Sequence, residues 1–191
     1  MDKSRSPQPG GHVCPWWFAY SFDNVLRRLV HDPTAMVGPY LREGGTALDV
    51  GSGMGHFSIG MARIVGPGGK VHAVDLQQKM LDVTMKRAAK VGVADRLEPR
   101  LCRQDSLALE ALNADFALVF WMAHEVPDPE RLFREIHGAL REGGRLLYAE
   151  PSFHVKDELF RSIVAAAEGA GFARDGEPKV RFSRAVLLRR E

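Results

Sequence analysis

The chain has little cysteine and no long apolar run. Its two cysteines, Cys14 and Cys102, form neither the paired spacing of a zinc site nor a disulfide framework. The longest apolar stretches are of strand length, well short of the roughly 20 residues that cross a bilayer. No apolar segment follows the charged start, so we expect no secretory signal. These absences predict a cytoplasmic protein with free thiols and no metal.

The sequence also lacks an excess of charge of one sign. Lysine and arginine total 26, aspartate and glutamate total 24, and the formal net charge is +2. The basic residues near the C-terminus alternate with Asp175 and Glu177. Nucleic-acid-binding proteins usually present a clearer basic face, so we expect a mixed, solvated surface and no nucleic-acid partner.

Length and composition favour one globular domain. The 191 residues are 45% hydrophobic, enough for a single large core. Residues 1–12 contain Ser, Pro, Gly and Gln without periodicity, which is typical of a disordered arm. Residues 13–191 are then expected to form the domain, with a helical cap over 13–43 and a ligand-binding core over 44–191.

The apolar periodicity predicts an α/β fold. Helical spacing predicts one helix over 21–31 and a second over 33–42. Strand and helix patterns then alternate as far as Ala170, which predicts a parallel sheet with right-handed crossovers. Two consecutive strands are predicted near 172–180 and 182–189.

Residues 47–55 are the most informative stretch. They read Ala-Leu-Asp-Val-Gly-Ser-Gly-Met-Gly, so an apolar strand runs into three alternating glycines and then an amphipathic helix. Glycine allows positive φ angles and a close approach of the backbone to a ligand. The N–H groups at the start of the helix would face the same ligand. This pattern predicts a nucleotide-cofactor loop.

The glycine spacing separates two cofactor classes. A dinucleotide loop has the pattern G-x-G-x-x-G, but His56 stands where its third glycine would be and Gly55 comes one residue early. Asp49 precedes Gly51 by two residues. This arrangement resembles motif I of the class I S-adenosylmethionine (SAM)-dependent methyltransferases. Asp75 ends an apolar strand 24 positions after Gly51 and suits ribose hydroxyls, although it would serve SAM and NAD equally.

The resemblance covers about residues 40–190 and includes each family motif in order. It implies a Rossmann-like sheet of seven mostly parallel strands, with the last strand antiparallel and helices on both faces. Small-molecule methyltransferases of the quinone-biosynthesis type look most similar, since their fourth strand ends in a loop like His124–Asp128 and precedes a Gly-Gly strand like that at Gly143-Gly144. SAM is the implied cofactor.

The resemblance also implies where SAM is held. Asp49 would organise the glycine loop, Asp75 would accept the ribose hydroxyls, and Asp105 would accept the adenine amino group. Asp105 also suits the N-cap of a helix beginning near Leu107, and the two roles are compatible. The expected cofactor-binding residues are Asp49, Gly51, Ser52, Gly53, Gly55, Asp75, Leu76, Asp105 and Ser106.

The acceptor pocket is expected between the N-terminal segment and the loops after the fourth and fifth strands. The aromatic stretch Cys14–Tyr20 either covers the pocket as a lid or packs the first helix onto the sheet. Methyl transfer depends mainly on alignment and needs no base in every case. His124 is the expected base because imidazole titrates near neutral pH, with Glu125 orienting it or binding the acceptor; alternatively, His124 only contacts backbone or cofactor. The expected acceptor-binding residues are Trp17, Tyr20, His124, Glu150 and His154.

The sequence therefore predicts a SAM-dependent methyltransferase that acts on a small-molecule acceptor as a monomer or homodimer. It has no acidic cluster like the one that holds magnesium in catechol-type methyltransferases. Two alternatives stay open. One is a non-catalytic SAM-binding sensor or partner subunit, and the other is an NAD-dependent oxidoreductase, which His56 and the terminal pair of strands disfavour.

Overall fold

The computed structural model describes residues 30–109 and 111–191. The predicted arm over 1–12, the acceptor candidates Trp17 and Tyr20, and nearly all of the helix predicted over 21–31 lie outside these residues.

The described chain forms one seven-stranded sheet. Its strands are β1 (Thr46–Val50), β2 (Lys70–Asp75), β3 (Leu97–Leu101), β4 (Ala114–Phe120), β5 (Leu140–Pro151), β6 (Phe172–Gly176) and β7 (Ser183–Arg190). Their order across the sheet is β3-β2-β1-β4-β5-β7-β6. Neighbours among the first five strands pair in parallel, whereas β7 is antiparallel to both β5 and β6. The predicted sheet, with its antiparallel last strand, is confirmed.

The helices connect these strands and cover both faces. They are α1 (Pro33–Val37), α2 (His56–Val65), α3 (Gln78–Lys90), α4 (Pro129–Ala139) and α5 (Asp157–Gly169). The helix predicted over 33–42 is shorter than expected, because a 3-10 turn over Gly38–Tyr40 replaces its second half. Asp32 caps its start, since its carboxylate accepts from the backbone N–H groups of Thr34 and Ala35.

One predicted helix is absent. No helix follows Asp105 among residues 107–109 and 111–113, where Ala108 and Asn113 have φ angles of +50°. A right-handed helix requires negative φ angles, so these two residues interrupt the segment. The expectation that Asp105 caps a helix near Leu107 is therefore wrong.

The core lies on both sides of the sheet because the central strands are apolar on both faces. In β4, Phe116 and Leu118 pack with α2 and α3, while Ala117 and Val119 pack with α4 and α5. Such a run is typical of a parallel strand covered on two sides. In the described ranges, no helix has the length and apolar character needed to span a membrane.

Candidate active site

A cavity of about 1030 Å³ opens where β1, β2 and β4 end. The strand order reverses between β1 and β4, and open α/β sheets bind ligands at this switch point. The wall contains most of the expected site residues: Asp49, Gly51, Ser52, Gly53, Asp75, Leu76, Asp105, Ser106, His124, Glu125 and His154. Gly55 and Glu150 do not line this cavity.

The glycine loop between β1 and α2 has the backbone that its sequence predicts. Gly51, Gly53 and Gly55 have φ angles of +74°, +53° and +80°. A Cβ on Gly51 would lie 2.8 Å from Met122 Cγ, and one on Gly55 would lie 2.6 Å from Thr84 Cγ2. A Cβ on Gly53 would meet no atom within 4 Å. Gly51 and Gly55 thus allow close packing of the loop, whereas Gly53 leaves open space on the cavity wall.

We expect Gly55→Ala to reduce stability more than Gly92→Ala. Both glycines have positive φ angles, but an alanine Cβ at Gly92 meets no atom within 4 Å. The control therefore measures backbone strain alone, about 1–2 kcal/mol. At Gly55 the clash with the fully buried Thr84 adds roughly 1–3 kcal/mol. Urea denaturation checks the difference, and equal losses would contradict tight packing at Gly55.

Two buried carboxylates hold this loop. Asp49 accepts a 2.5 Å hydrogen bond from the Ser58 hydroxyl, which ties β1 to α2. Asp75 accepts from the Gly53 N–H at 2.8 Å and from the Gln77 N–H at 2.9 Å, one bond on each oxygen. Burial raises the pKa of Asp75, and the backbone hydrogen bonds from Gln77 and Gly53 partly offset that effect. The Leu76 backbone also contributes a hydrogen bond to this carboxylate, which has about four acceptor positions and so can still accept from a ligand hydroxyl.

Helix α3 supports the loop from the other side. The Thr84 hydroxyl donates to the Gly53 carbonyl at 3.0 Å, and the Arg87 guanidinium donates to the Met54 carbonyl at 3.1 Å. Sequence reasoning missed both residues. Thr84 lies in the middle of α3 and Arg87 in its last turn, 31 and 33 positions after the loop residues that they contact, and no local pattern links them to the loop.

A tight turn forms the next part of the wall. The backbones of Arg103 and Ser106 exchange two hydrogen bonds, and the Asp105 side chain between them is 73% exposed. Helix α4 anchors this turn, since Glu135 accepts from the Leu107 N–H at 2.7 Å and Arg131 donates to the Asp105 carbonyl at 2.8 Å. Asp105 is one of the residues that line the cavity, and its carboxylate lies 3.7 Å from the Arg103 guanidinium.

His124 lies across the cavity, in a 3-10 turn after β4. Its Nδ1 is 2.8 Å from Glu150 Oε2, and its backbone N–H donates to Glu150 Oε1 at 3.0 Å. Glu125 Oε1 is 4.0 Å from the other ring nitrogen, Nε2. Burial alone would lower the pKa of His124, but the hydrogen bond and charge of Glu150, with the charge of Glu125, outweigh it and raise that pKa. Glu150, expected to bind the acceptor, lies behind His124 and is fully buried.

Aromatic side chains surround this end of the cavity. Trp121 has a φ angle of +58°, its indole N–H donates to the Ser183 hydroxyl at 2.9 Å, and its ring stacks on Phe120. The rings of Phe153 and Trp121 form a T-shaped pair, and so do the rings of His154 and His124. Sequence reasoning missed both Trp121 and Phe153. Trp121 ends an apolar run that is typical of a buried strand. Its φ angle turns the backbone at the strand end instead.

The residues present fit SAM as the cofactor. The glycine loop leaves space at Gly53, and the carboxylate of Asp75 lies on the same wall with lone pairs to spare. The first turn of α2 follows the loop directly. Over residues 30–109 and 111–191, no group of three or more His, Cys, Asp or Glu side chains is arranged to hold a metal ion.

Comparisons with known proteins give the family. A model described as a methyltransferase domain matches residues 41–173. The chain is 31% identical over 110 residues to the ubiquinone/menaquinone biosynthesis C-methyltransferase of Hahella chejuensis, and 29% over 119 residues to that of Pasteurella multocida. These matches cover 58% and 62% of this chain. The chain spans only 44% of the length of either relative.

Solved structures give the same fold. A SAM-dependent methyltransferase from Aquifex aeolicus superposes with a TM-score of 0.82 at 22% identity, covering 93% of this chain and 99% of the other. A geranyl diphosphate methyltransferase in complex with SAM has a TM-score of 0.70 at 16% identity, covering 95% and 91%. The family match, the fold and the cofactor fit confirm the resemblance seen in the sequence. The chain belongs to the methyltransferase-domain family and has the fold of the class I SAM-dependent methyltransferases.

Proposed function

We propose that this chain transfers a methyl group from SAM to a small-molecule acceptor. The observation that carries the proposal is that one cavity joins the glycine loop and Asp75 at one end to His124 and the aromatic side chains at the other. When bound, SAM supplies an electrophilic methyl group on a sulfonium centre. The protein's part is to hold the acceptor in line with that group and to exclude water.

The cofactor half of the cavity uses the carboxylates. Asp75 would accept the ribose hydroxyls while keeping its hydrogen bonds to Gly53 and Gln77. Asp105 would accept the adenine amino group, and Asp49 would keep the loop in shape through Ser58. Gly51, Ser52, Gly53, Leu76 and Ser106 complete the proposed lining of the cofactor site, and Gly55 would support it by letting the loop pack against Thr84.

The acceptor half is mainly apolar. Trp121 and Phe153 would contact an apolar or aromatic acceptor, and His154 and Glu125 would bind its polar groups. The curated relatives are named for ubiquinone and menaquinone biosynthesis, which favours a small molecule over a macromolecule. His124 would accept the proton that a hydroxyl or protonated amine loses.

The remaining proposals concern location, assembly, partners and domain bounds. We propose a cytoplasmic enzyme that acts as a monomer or homodimer and has no nucleic-acid partner. The near-balanced charge supports the last point, since a basic surface is the usual sign of nucleic-acid binding. The domain is proposed to comprise residues 13–191, with its SAM-binding core over 44–191.

Binding of S-adenosylhomocysteine tests the cofactor site. We expect titration calorimetry to show micromolar binding of S-adenosylhomocysteine and SAM and no binding of NAD. At 100 times its dissociation constant, S-adenosylhomocysteine should stabilise the fold by about 2.7 kcal/mol in thermal unfolding. Binding of NAD with no binding of S-adenosylhomocysteine would contradict the proposal and favour the oxidoreductase alternative.

Turnover separates an enzyme from a sensor. Labelled SAM incubated with phenols, hydroquinones and small amines should give a labelled product with at least one of them. Cofactor binding without transfer to any member of such a panel would favour a non-catalytic SAM-binding module.

A further inference from the structure

Glu150 is a carboxylate enclosed inside the protein. It stands near the end of β5 with 0% of its surface exposed and does not line the cavity. Strands β4 and β5 pair in parallel with Phe120 opposite Ala149, so Glu150 lies beside the turn that carries His124. A buried carboxylate is costly unless donors surround it, and its position therefore calls for an explanation.

Three donors meet this carboxylate. The His124 backbone N–H donates to Oε1 at 3.0 Å, and the Tyr148 hydroxyl lies 3.4 Å from the same oxygen. The ring nitrogen Nδ1 of His124 lies 2.8 Å from Oε2. Two of the three contacts therefore come from a single residue, which fixes both the backbone and the ring of His124.

The contact at Nδ1 decides the tautomer. An ionised carboxylate only accepts, so the nitrogen beside it must carry the hydrogen. The neutral ring then has its hydrogen on Nδ1 and its lone pair on Nε2. His124 lines the cavity, and it is this second nitrogen that approaches Glu125 on the cavity wall.

We propose that Glu150 is a positioning residue that holds His124 as the Nδ1–H tautomer and keeps Nε2 available as the proton acceptor. The inference rests on the proposed function for the use of that proton. The acceptor's O–H or N–H proton moves to Nε2, and the imidazolium that forms is paired with the Glu150 carboxylate. The acceptor class is then one that loses a proton on methylation, which excludes thioethers and tertiary amines.

The proposed role differs from that of Glu125. The Glu125 side chain is 33% exposed, so solvent partly screens its charge. Its carboxylate lies 4.0 Å from Nε2 of His124, which is too far for a hydrogen bond to the ring. Glu125 can bind an acceptor, whereas Glu150 reaches the cavity only through His124.

Nitrogen NMR of the imidazole in the ligand-free protein tests the proposal. The seven histidines are assigned with the help of His124→Asn, which removes one signal pair. We expect His124 in the wild type, at high pH, to show a protonated Nδ1 and an unprotonated Nε2. The opposite tautomer would overturn the proposal without any variant.

Glu150→Gln should invert that tautomer. The introduced amide has one acceptor oxygen, which the His124 backbone N–H requires because that group can only donate. The amide NH₂ then faces Nδ1, so Nδ1 becomes the acceptor and the ring hydrogen moves to Nε2. We also expect the pKa of His124 to fall, since the neighbouring negative charge is lost. Unchanged nitrogen shifts and an unchanged titration would overturn the proposal.

Glu125→Gln is the matched control, because it makes the same chemical change beside the same ring. We expect it to leave the tautomer of His124 unchanged; inversion there would overturn the assignment to Glu150. These measurements use protein without cofactor, so they are independent of the calorimetry. If S-adenosylhomocysteine fails to bind while the tautomer is as expected, the proposed function fails and the role of Glu150 in holding His124 stands.

Discussion

Asp75→Asn is expected to weaken S-adenosylhomocysteine binding by at least about tenfold. The side chain joins the loop and the proposed ribose site, because its oxygens accept from the Gly53 and Gln77 N–H groups. An amide supplies one acceptor oxygen in place of two, so one of these donors loses its partner. A hydrogen bond to a charged group contributes about 1.5–3 kcal/mol, and the ribose contact loses this stabilisation as well. Titration calorimetry measures the change.

Asp82→Asn is the control for this substitution. Asp82 lies exposed on α3, away from the cavity wall, and accepts a hydrogen bond from the Gln78 side chain. Its replacement should leave affinity unchanged. An Asp75→Asn protein that binds S-adenosylhomocysteine as tightly as the wild type would show that the ribose is recognised elsewhere.

His124→Asn is expected to lower turnover by about 10²-fold and to leave S-adenosylhomocysteine affinity intact. General-base catalysis typically contributes this much or more, and an amide cannot accept the proton. Asparagine is preferred to alanine because its side-chain N–H can still donate toward the buried Glu150 carboxylate. Transfer of labelled methyl to an acceptor found in the phenol and amine panel measures the rate. A loss of only a few fold would leave alignment as the source of catalysis.

The pH profile checks the same role. Because the hydrogen bond and charge of Glu150 outweigh burial and raise the pKa of His124 above 6.5, the ring is protonated and inactive as a base at low pH. The rate should therefore rise with pH through a midpoint above 6.5 in the wild type. In His124→Asn this limb should disappear. A wild-type rate that falls over the same range would contradict a base role.

Local signals predicted the backbone of the glycine loop. The strand, the three glycines and the following helix are contiguous, so their spacing alone specifies a loop with positive φ angles and a helix start beside it. Asp75 lines the same cavity as this loop because it ends the next strand, and parallel strands end at the same edge of a sheet. The helix near Leu107 was wrong because a segment of ordinary residues gives no warning of positive φ angles at Ala108 and Asn113.

The other half of the cavity, which is proposed to hold the acceptor, is formed by contacts between segments that are distant in the sequence. The sequence placed His124 and Glu150 near the pocket, but not one behind the other. Their separation is 26 positions, and the pairing of β4 with β5 brings them together. Likewise, Trp121 forms its hydrogen bond with Ser183, 62 positions away.

The sequence by itself determined the order of strands and helices, the glycine loop and the class of cofactor. These depend on periodicity and on the conformational freedom of glycine, which act over a few residues. Only the tertiary structure decided which carboxylate contacts His124 and which aromatic side chains line the cavity beside it. Whether a charged side chain lies on a cavity wall or is buried behind it depends on the register between strands. The identity of a single residue does not specify that register.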